Sequence, residues 1–395
     1  GTQLEVNHRK YEGIKHSIYA KHPKEELPRV IIGGKDCKQP YNASLFNISA
    51  MSFGALSDRA QMALNRGAKK GNFYHNTGEG GISPHHLEGG DLCWQIGTGY
   101  FGCRNEEGNF DAELFTKYSN LDNVKMIEIK LSQGAKPGHG GVLPAVKNTP
   151  EIAKIRHVPP GVTILSPPSH SAFSDAEGLL RFVQQLRELS GGKPVGFKLC
   201  IGDTKEFEDI CEQMNILNIY PDFITIDGAE GGTGAAPPEF SDGVGMPLEP
   251  ALIFVNRTLI NYELRDKLRI IASGKVLTSL DILRAVAMGA DLCNNARGFM
   301  FSLGCIQALR CNTNTCPTGV ATQDKMLIKG LDTNDKTERV YQFHKNTLHT
   351  CNELIAAAGR ESYDQVDASM FMRGDEFEHL SDLYFPDILE NVRKR

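Results

Sequence analysis

Eight short apolar runs recur along this chain, each closing on a Gly-rich or polar tip. That rhythm restricts the fold more than any other feature. The runs are FNISAMSF (46–53), FYHNTGEGG (73–81), KMIEIKLS (125–132), VTILSP (162–167), PVGFKLC (194–200), DFITIDGAEGG (222–232), LRIIASGK (268–275) and DLCNNARG (291–298). Runs this short and this apolar read as strands buried on both faces, which parallel sheets require. Between them lie stretches with helical period. SDRAQMALNRGAKK opens on Ser57 as N-cap, TPEIAKIRH places Pro150 at the first helical position, and SDAEGLLRFVQQLREL runs from a Ser174 cap to Gly191 and Gly192. TKEFEDICEQMNIL, PLEPALIFVNRTLINYEL and TSLDILRAVAMGA complete the set. Strand–helix units repeated eight times predict an α/β fold, a closed (β/α)8 TIM barrel; an open doubly wound sheet is the competing topology.

Residues 1–40 are expected to be an N-terminal extension, 41–325 the barrel and 326–395 a charged helical tail packed on it. Residues 82–124 read as an insertion after the second strand. No low-complexity linker marks a second domain.

Functional groups of such barrels sit at the C-terminal ends of the strands. The polar residues fall there: Ser52 and Gly54, then Asn76, Thr77 and Glu79, then Gln133 and Lys136 with His139 beyond, then Ser166 and His170. Asp227 and Glu230 lead into GGTGA, Ser273 to Lys275 follow the seventh run, and Arg297 and Gly298 the eighth. Gly-rich tips after strands seven and eight suit a phosphate, with Lys275 and Arg297 adding charge; ordinary tight turns also use glycine. Lys198, inside VGFKLC, points into a barrel interior and needs an anionic partner there. It is either half of a structural ion pair or a cation facing the pyrimidine side of a flavin; with a phosphate site, the latter suggests FMN. Gln133, Lys136 and Arg156 are able to hold a dicarboxylate, although Arg156 taken alone reads as a solvated helix face. Glu79 is a proton carrier or a turn cap. GTGYFG (97–102) satisfies G-x-G-x-x-G but shows no strand before it and no helix after it, so dinucleotide binding is discounted.

GCIQALRCNTNTCPTGVATQ (304–323) carries Cys305, Cys311 and Cys316 in a C-x5-C-x4-C array. Zinc sites favour C-x2-C pairs, and a disulfide would leave one thiol over. Three close thiolates suit an iron–sulfur cluster with three irons; a fourth cysteine from elsewhere stays open. The other seven of the ten cysteines are scattered, which reads as a reducing compartment, and the sequons at Asn42, Asn47 and Asn256 carry no weight there. Net charge is −5, which offers no basic surface for nucleic acid, and no apolar run reaches the length of a membrane helix. The expected location is cytoplasmic, or membrane-associated through a segment outside this chain, which starts with Gly rather than Met.

GAKPGHGGVLP, NTGEGG, EGGTGAAP and the three-cysteine stretch resemble the FMN-binding barrel domain of glutamate synthase, over about residues 45–325. The resemblance implies FMN and a 3Fe-4S cluster ligated by Cys305, Cys311 and Cys316. It implies catalytic roles for Glu79, Gln133 and Lys136, with Arg156, Lys136 and Gln133 facing 2-oxoglutarate or 2-iminoglutarate. Lys198 would meet the flavin ring, and Ser52, Gly54, Glu230, Gly231, Gly232, Gly274, Lys275, Arg297 and Gly298 would complete the cofactor site. The implied activity is reduction of 2-iminoglutarate to glutamate, fed by ferredoxin or a reductase subunit and by a separate ammonia supplier. The chain departs from the full-length pattern at His139, where Glu is usual, at Glu230, where Asp is usual, and at the tips ASGK and NARG. Neither the glutaminase nor the β-helix domain of that pattern is expected within this sequence. Competing expectations are a flavin oxidoreductase of the N-methylglutamate synthase type, acting on another amine or imino acid, and a non-catalytic electron-transfer or scaffold subunit.

Overall fold

A computed structural model describes residues 12–232 and 236–373. Eight parallel strands close on themselves: β1 (Phe46–Ile48), β2 (His75–Asn76), β3 (Leu92–Ile96), β4 (Val124–Lys130), β5 (Val195–Leu199), β6 (Phe223–Asp227), β7 (Arg269–Ser273) and β8 (Leu292–Asn295). They neighbour one another in chain order. Closure comes where β4 pairs with β5, Lys130 opposite Lys198, and where β8 pairs with β1, Asn294 opposite Asn47. The strands are buried nearly throughout, as the unbroken apolar runs require.

Two runs behave differently from expectation. The third barrel strand is LCWQI, inside the segment read as an insertion; it is as long as β5, β6 and β7, but the glycines on both sides of it mask it in the sequence. A strand therefore does precede GTGYFG, but a turn rather than a helix follows it. VTILSP is not a barrel strand. Only Ile164–Leu165 pairs, antiparallel to Val142–Leu143, because prolines at 159, 160, 167 and 168 remove ladder donors on both sides. This hairpin lies over the mouth of the barrel.

The helices that clad the barrel follow their strands. They are α1 (Asp58–Gly71), α2 (Ala112–Ser119), α3 (Pro150–Arg156), α4 (Ala176–Leu189), α5 (Thr204–Leu217), α6 (Pro238–Gly243), α7 (Leu248–Asn261), α8 (Ser279–Ala287), α9 (Arg297–Ser302), α10 (Lys325–Ile328) and α11 (Thr333–Ala357). Ser57 caps α1 by accepting from the Ala60 amide, and Thr149 caps α3 ahead of Pro150. For α4 the cap is Asp175, one residue later than Ser174, since its carboxylate accepts from Gly178 N–H. The hairpin Arg29–Ile32/Tyr41–Ser44 closes the opposite end, where Asp222 accepts from Gly34 N–H, Val195 N–H and the Arg187 guanidinium. The tail is helical over α10 and α11, and α11 packs along α1. Beyond it, Phe371–Arg373 pairs with Glu12–Ile14, so the two flanking segments meet in a small sheet. Residues 1–11, 233–235 and 374–395 of the extension, the GGTGA tip and the tail lie outside the described residues.

Candidate active site

The C-terminal ends of the strands surround a cavity of about 750 Å³. Its inner wall comes from β4 and the tip after β2. The IEIK stretch of β4 aims Glu128 and Lys130, two residues apart, at one side of the strand, as strand periodicity requires. Lys130 Nζ donates to Glu79 Oε1 at 2.9 Å and to Gln133 Oε1 at 3.3 Å. Glu128 is 1% exposed and fully bonded. Asn76 Nδ2 and Gln95 Nε2 reach Oε1 at 2.8 and 2.7 Å, and Thr225 Oγ1 reaches Oε2 at 2.6 Å. Burial alone would raise Glu79, but Lys130, Arg156 and Lys136 overcome it and hold the carboxyl below its usual range. Burial and Lys130 lower Lys136, whose ammonium donates to Gly140 O at 3.0 Å.

Arg156 is not on a solvated face. It is buried at the end of α3, where Nη2 donates to Phe53 O at 3.1 Å and the guanidinium lies over the Phe101 ring, 5.1 Å from its centroid. A Cβ at Gly80 would meet Nη2 at 2.8 Å, and one at Gly54 at 3.2 Å, so these glycines form the slot. Gly54 therefore backs Arg156 rather than lining the cavity, while Ser52 does line it. Among the described residues nothing bonds the buried Nε of Arg156. Burial brings Arg156 down to about 10 against the pull of Glu79.

Lys198 on β5 lines the cavity floor, 3.6 Å from Asp227 Oδ2. Burial would lower it, but Asp227, then Glu128 and Glu79, carry it above the ordinary lysine value. Asp227 also accepts from Gly134 N–H at 2.9 Å and Ser273 Oγ at 3.0 Å. The wall from β6 to β8 carries Gly231, Gly232, Gly274, Lys275 and Arg297. A Cβ on Gly232 would come within 2.6 Å of Arg297 Nη2, so the backbone and that guanidinium share one cradle. Glu230 lines the cavity, yet both its oxygens accept from Leu248 N–H at 3.0 Å, capping α7. Gly298 is off the cavity: its N–H donates to Asn295 Oδ1 at 2.6 Å, and its Cα faces Phe343.

Ser166 lines the cavity, but from beside the mouth hairpin, not from a barrel strand. His170 is buried between Tyr100 OH and Lys130 O, at 3.0 and 2.9 Å, and burial lowers it to about 4. His139 is exposed, bonded to its neighbour's carbonyl and edge-on to Phe240, outside the cavity.

The cysteine loop stands at the rim, where Cys305 and Cys311 line the cavity and Cys316 is buried. All ten cysteines are free. Burial, and then Cys305 and Cys316, raise Cys311, while Lys147 opposes them. Burial would raise Cys316 too, but the Thr318 hydroxyl and the amides of Ala321, Thr318 and Val320 bring it below the ordinary thiol value. Gln307, Leu309 and Asn314 hold positive φ, so the loop is a tightly wound irregular segment. No group of three or more His, Cys, Asp or Glu side chains among the described residues is gathered as a metal-ion site.

Four residues escaped the sequence reading: Gln95, Glu128, Lys130 and Lys147. Glu128 and Lys130 carried the same signal as Lys198, a charge inside an apolar strand. Gln95 was hidden with its strand, and Lys147 has no local mark.

A parallel barrel with a charged cavity at its C-terminal mouth is the architecture of a barrel enzyme. The conserved region of glutamate synthase matches residues 4–361, and the chain belongs to the glutamate synthase family. It is 46% identical over 354 residues to the glutamate synthase large subunit-like protein YerD of Bacillus subtilis, covering 89% of this chain and 66% of that one. It is 36% identical over 321 residues to the archaeal glutamate synthase [NADPH] of Methanocaldococcus jannaschii, covering 81% and 60%. The chain thus spans less than two thirds of these relatives' length. In fold it is similar to the flavin-binding domain of baker's yeast flavocytochrome b2, with TM-score 0.53, 13% identity and 91% and 76% of the two chains covered.

Proposed function

We propose that this chain is an FMN- and iron–sulfur-dependent oxidoreductase that converts 2-oxoglutarate and ammonia, through 2-iminoglutarate, to glutamate. The observation that carries this reading is the convergence of Lys130, Lys136 and Arg156 around Glu79 and Gln133 in one cavity, which the glycine cradle and Cys305 and Cys311 also line. The net reaction joins 2-oxoglutarate, ammonia, two electrons and two protons to give glutamate and water.

The residues suit both groups. For FMN, the floor offers Lys198 against the ring, and the wall offers Gly232, Gly274, Lys275 and Arg297 against the phosphate, where a Cβ at Gly232 would fill the space. For the cluster, Cys305, Cys311 and Cys316 supply three soft ligands. The hydroxyl and amides around Cys316 favour its thiolate, and Cys311 is raised by burial and then by its neighbours Cys305 and Cys316, a repulsion that bound iron would relieve. Bound FMN would supply the hydride and the cluster its electrons one at a time.

The rest is the work of side chains. Arg156 and Lys136 hold the substrate carboxylates, and Gln133 orients the reacting carbon. Glu79, ionised beside Lys130, is an acceptor. It suits an ammonium or iminium N–H better than the donor half of the proton-carrier role expected of it. Lys136, lowered by burial, is the better donor of the proton that lets the carbonyl oxygen leave as water. His139, outside the cavity, does not bear on substrate choice. Ferredoxin or a reductase subunit would deliver electrons at the cysteine loop, where Ile306 and Leu309 are exposed, and a separate subunit would supply ammonia. No helix among the described residues is long and apolar enough to cross a membrane.

The test is anaerobic reduction of the holoprotein followed by mixing with 2-oxoglutarate and ammonium. Flavin reoxidation with glutamate formation is expected; a flavin that stays reduced overturns the reading.

A further inference from the structure

Lys147 also lines the cavity, but the function proposed above gives it no role. It ends the 3-10 turn Ala145–Lys147, is 2% exposed, and spends its ammonium on three carbonyls: Ala55 at 2.7 Å, Cys311 at 3.0 Å and Ala321 at 3.3 Å. Ala55 belongs to the tip after β1; Cys311 and Ala321 belong to the cysteine loop. An ammonium has three donors, so all are used. The same two loops are laced again nearby. Gln323 Nε2 donates to Leu56 O at 2.9 Å and Gly54 O at 3.3 Å, and Ser57 Oγ donates to Gly319 O at 2.7 Å.

Carbonyls alone do not call for a charge, and burying an ammonium without an anion is costly. Among the described residues Lys147 forms no ion pair with a carboxylate; burial lowers it to about 8, the sulfurs of Cys311 and Cys316 pull the other way, and Arg156 adds to the lowering.

We propose that Lys147 is a positioning residue for the electron-carrying loop. It clamps that loop to the tip of β1, and its positive charge raises the reduction potential of an iron–sulfur cluster held by Cys305, Cys311 and Cys316. The potential half rests on the function proposed above; the clamp half does not. An added electron makes the cluster more negative, so a nearby cation stabilises the reduced form more than the oxidised one.

The experiment uses the full chain, reconstituted anaerobically with iron and sulfide, as wild type, Lys147→Met, Lys147→Arg and Gln323→Ala. A one-electron redox titration is read by visible absorption and electron paramagnetic resonance. Lys147→Met should move the midpoint to more negative potential by at least a tenfold change in the reduced-to-oxidised ratio, about 59 mV. Lys147→Arg, which keeps the charge, and Gln323→Ala, which only loosens the lacing, should stay near wild type. In the iron-free proteins, amide hydrogen exchange over 305–323 should be at least tenfold faster in Lys147→Met. An unchanged midpoint overturns the electrostatic role, and unchanged exchange overturns the clamp. Wild-type protein that takes up no iron overturns the cluster reading itself, and exchange still decides the clamp. Should Lys147→Met fail to fold, Lys147→Gln carries both measurements.

Discussion

Lys198 Nζ stands 3.6 Å from Asp227 Oδ2 inside the barrel, with the two side chains 6% and 9% exposed. The pair is a junction as well as a charge balance. Asp227 also takes the Gly134 amide and the Ser273 hydroxyl, so one carboxylate ties β5, β6 and β7 to the loop after β4.

Removing one partner of such a pair leaves a buried charge. Lys198→Met is expected to cost about 3–5 kcal/mol in unfolding free energy, and the double variant with Asp227→Asn less, because the orphaned carboxylate is gone. Urea unfolding of the flavin-free protein checks this. Equal losses in the single and double variants would argue against the coupling.

Glu79 lies below its ordinary value when folded, since Lys130, Arg156 and Lys136 outweigh the effect of burial. A carboxyl depressed in the folded state stabilises the protein above its unfolded value, and that contribution is lost as pH falls through the lower folded value. Glu79→Gln should therefore destabilise at neutral pH and flatten the acid limb of the stability profile below about pH 4.3, the unfolded glutamate value. Denaturant midpoints measured across the acid range decide it.

Gly80→Ala places a methyl 2.8 Å from Arg156 Nη2 and 2.9 Å from Ser52 Cβ. The guanidinium must shift within its slot, and misplacement on the ångström scale can cost about a hundredfold in rate. A fall of roughly ten- to a hundredfold in kcat/KM for 2-oxoglutarate is expected, with flavin content unchanged. Steady-state kinetics on flavin-loaded protein provide the check.

His344 stacks on Phe73 with ring centroids 3.8 Å apart and bonds Ser44 Oγ at 2.9 Å; burial lowers it to about 3. His75 is lowered likewise to about 3. Such histidines stay neutral when folded and take up a proton when unfolded, so stability falls as pH drops from about 6.5 toward the folded values. Each contributes a slope of up to about 1.4 kcal/mol per pH unit over that window. His344→Phe should reduce the slope between pH 6 and 4.5 by one proton's worth, as read from urea unfolding at a series of pH values.

Cys316→Ser removes the thiol held by the Thr318 hydroxyl and three loop amides. Iron binding after anaerobic reconstitution should be lost or sharply reduced while flavin is retained, since Cys316 does not line the cavity. Iron analysis beside flavin absorbance tests both halves.

The barrel was legible because its signals are local. Buried parallel strands announce themselves as apolar runs, and α1 and α3 carry their start signals, Ser57 and Pro150, in the sequence. Seven of the strands lie within the runs marked or in their immediate neighbourhood. The third strand failed because LCWQI is framed by glycines that read as loop, and VTILSP misled because periodicity cannot show that its neighbouring prolines leave only two residues to pair. Lys198 declared itself as a charge in an apolar run. By the same rule Glu128 and Lys130 were legible too, and went unread.

Placement across the fold was a different matter. Arg156 looks like a solvated helix residue until α3 is laid over the mouth and Gly54, Gly80 and Phe101 close around it. Gly298 looks like a phosphate turn until Asn295 takes its amide. Lys147 has no sequence mark at all, because its partners lie 92, 164 and 174 residues away. Residue order therefore determined the eight-strand barrel, the ring of polar tips and the thiol array, all set by spacing along one segment. Which of those groups face one another, and which charges are buried together, arose only when distant segments packed. The energies that settle those partnerships act through space, and contacts between residues far apart in the chain leave no periodicity in it.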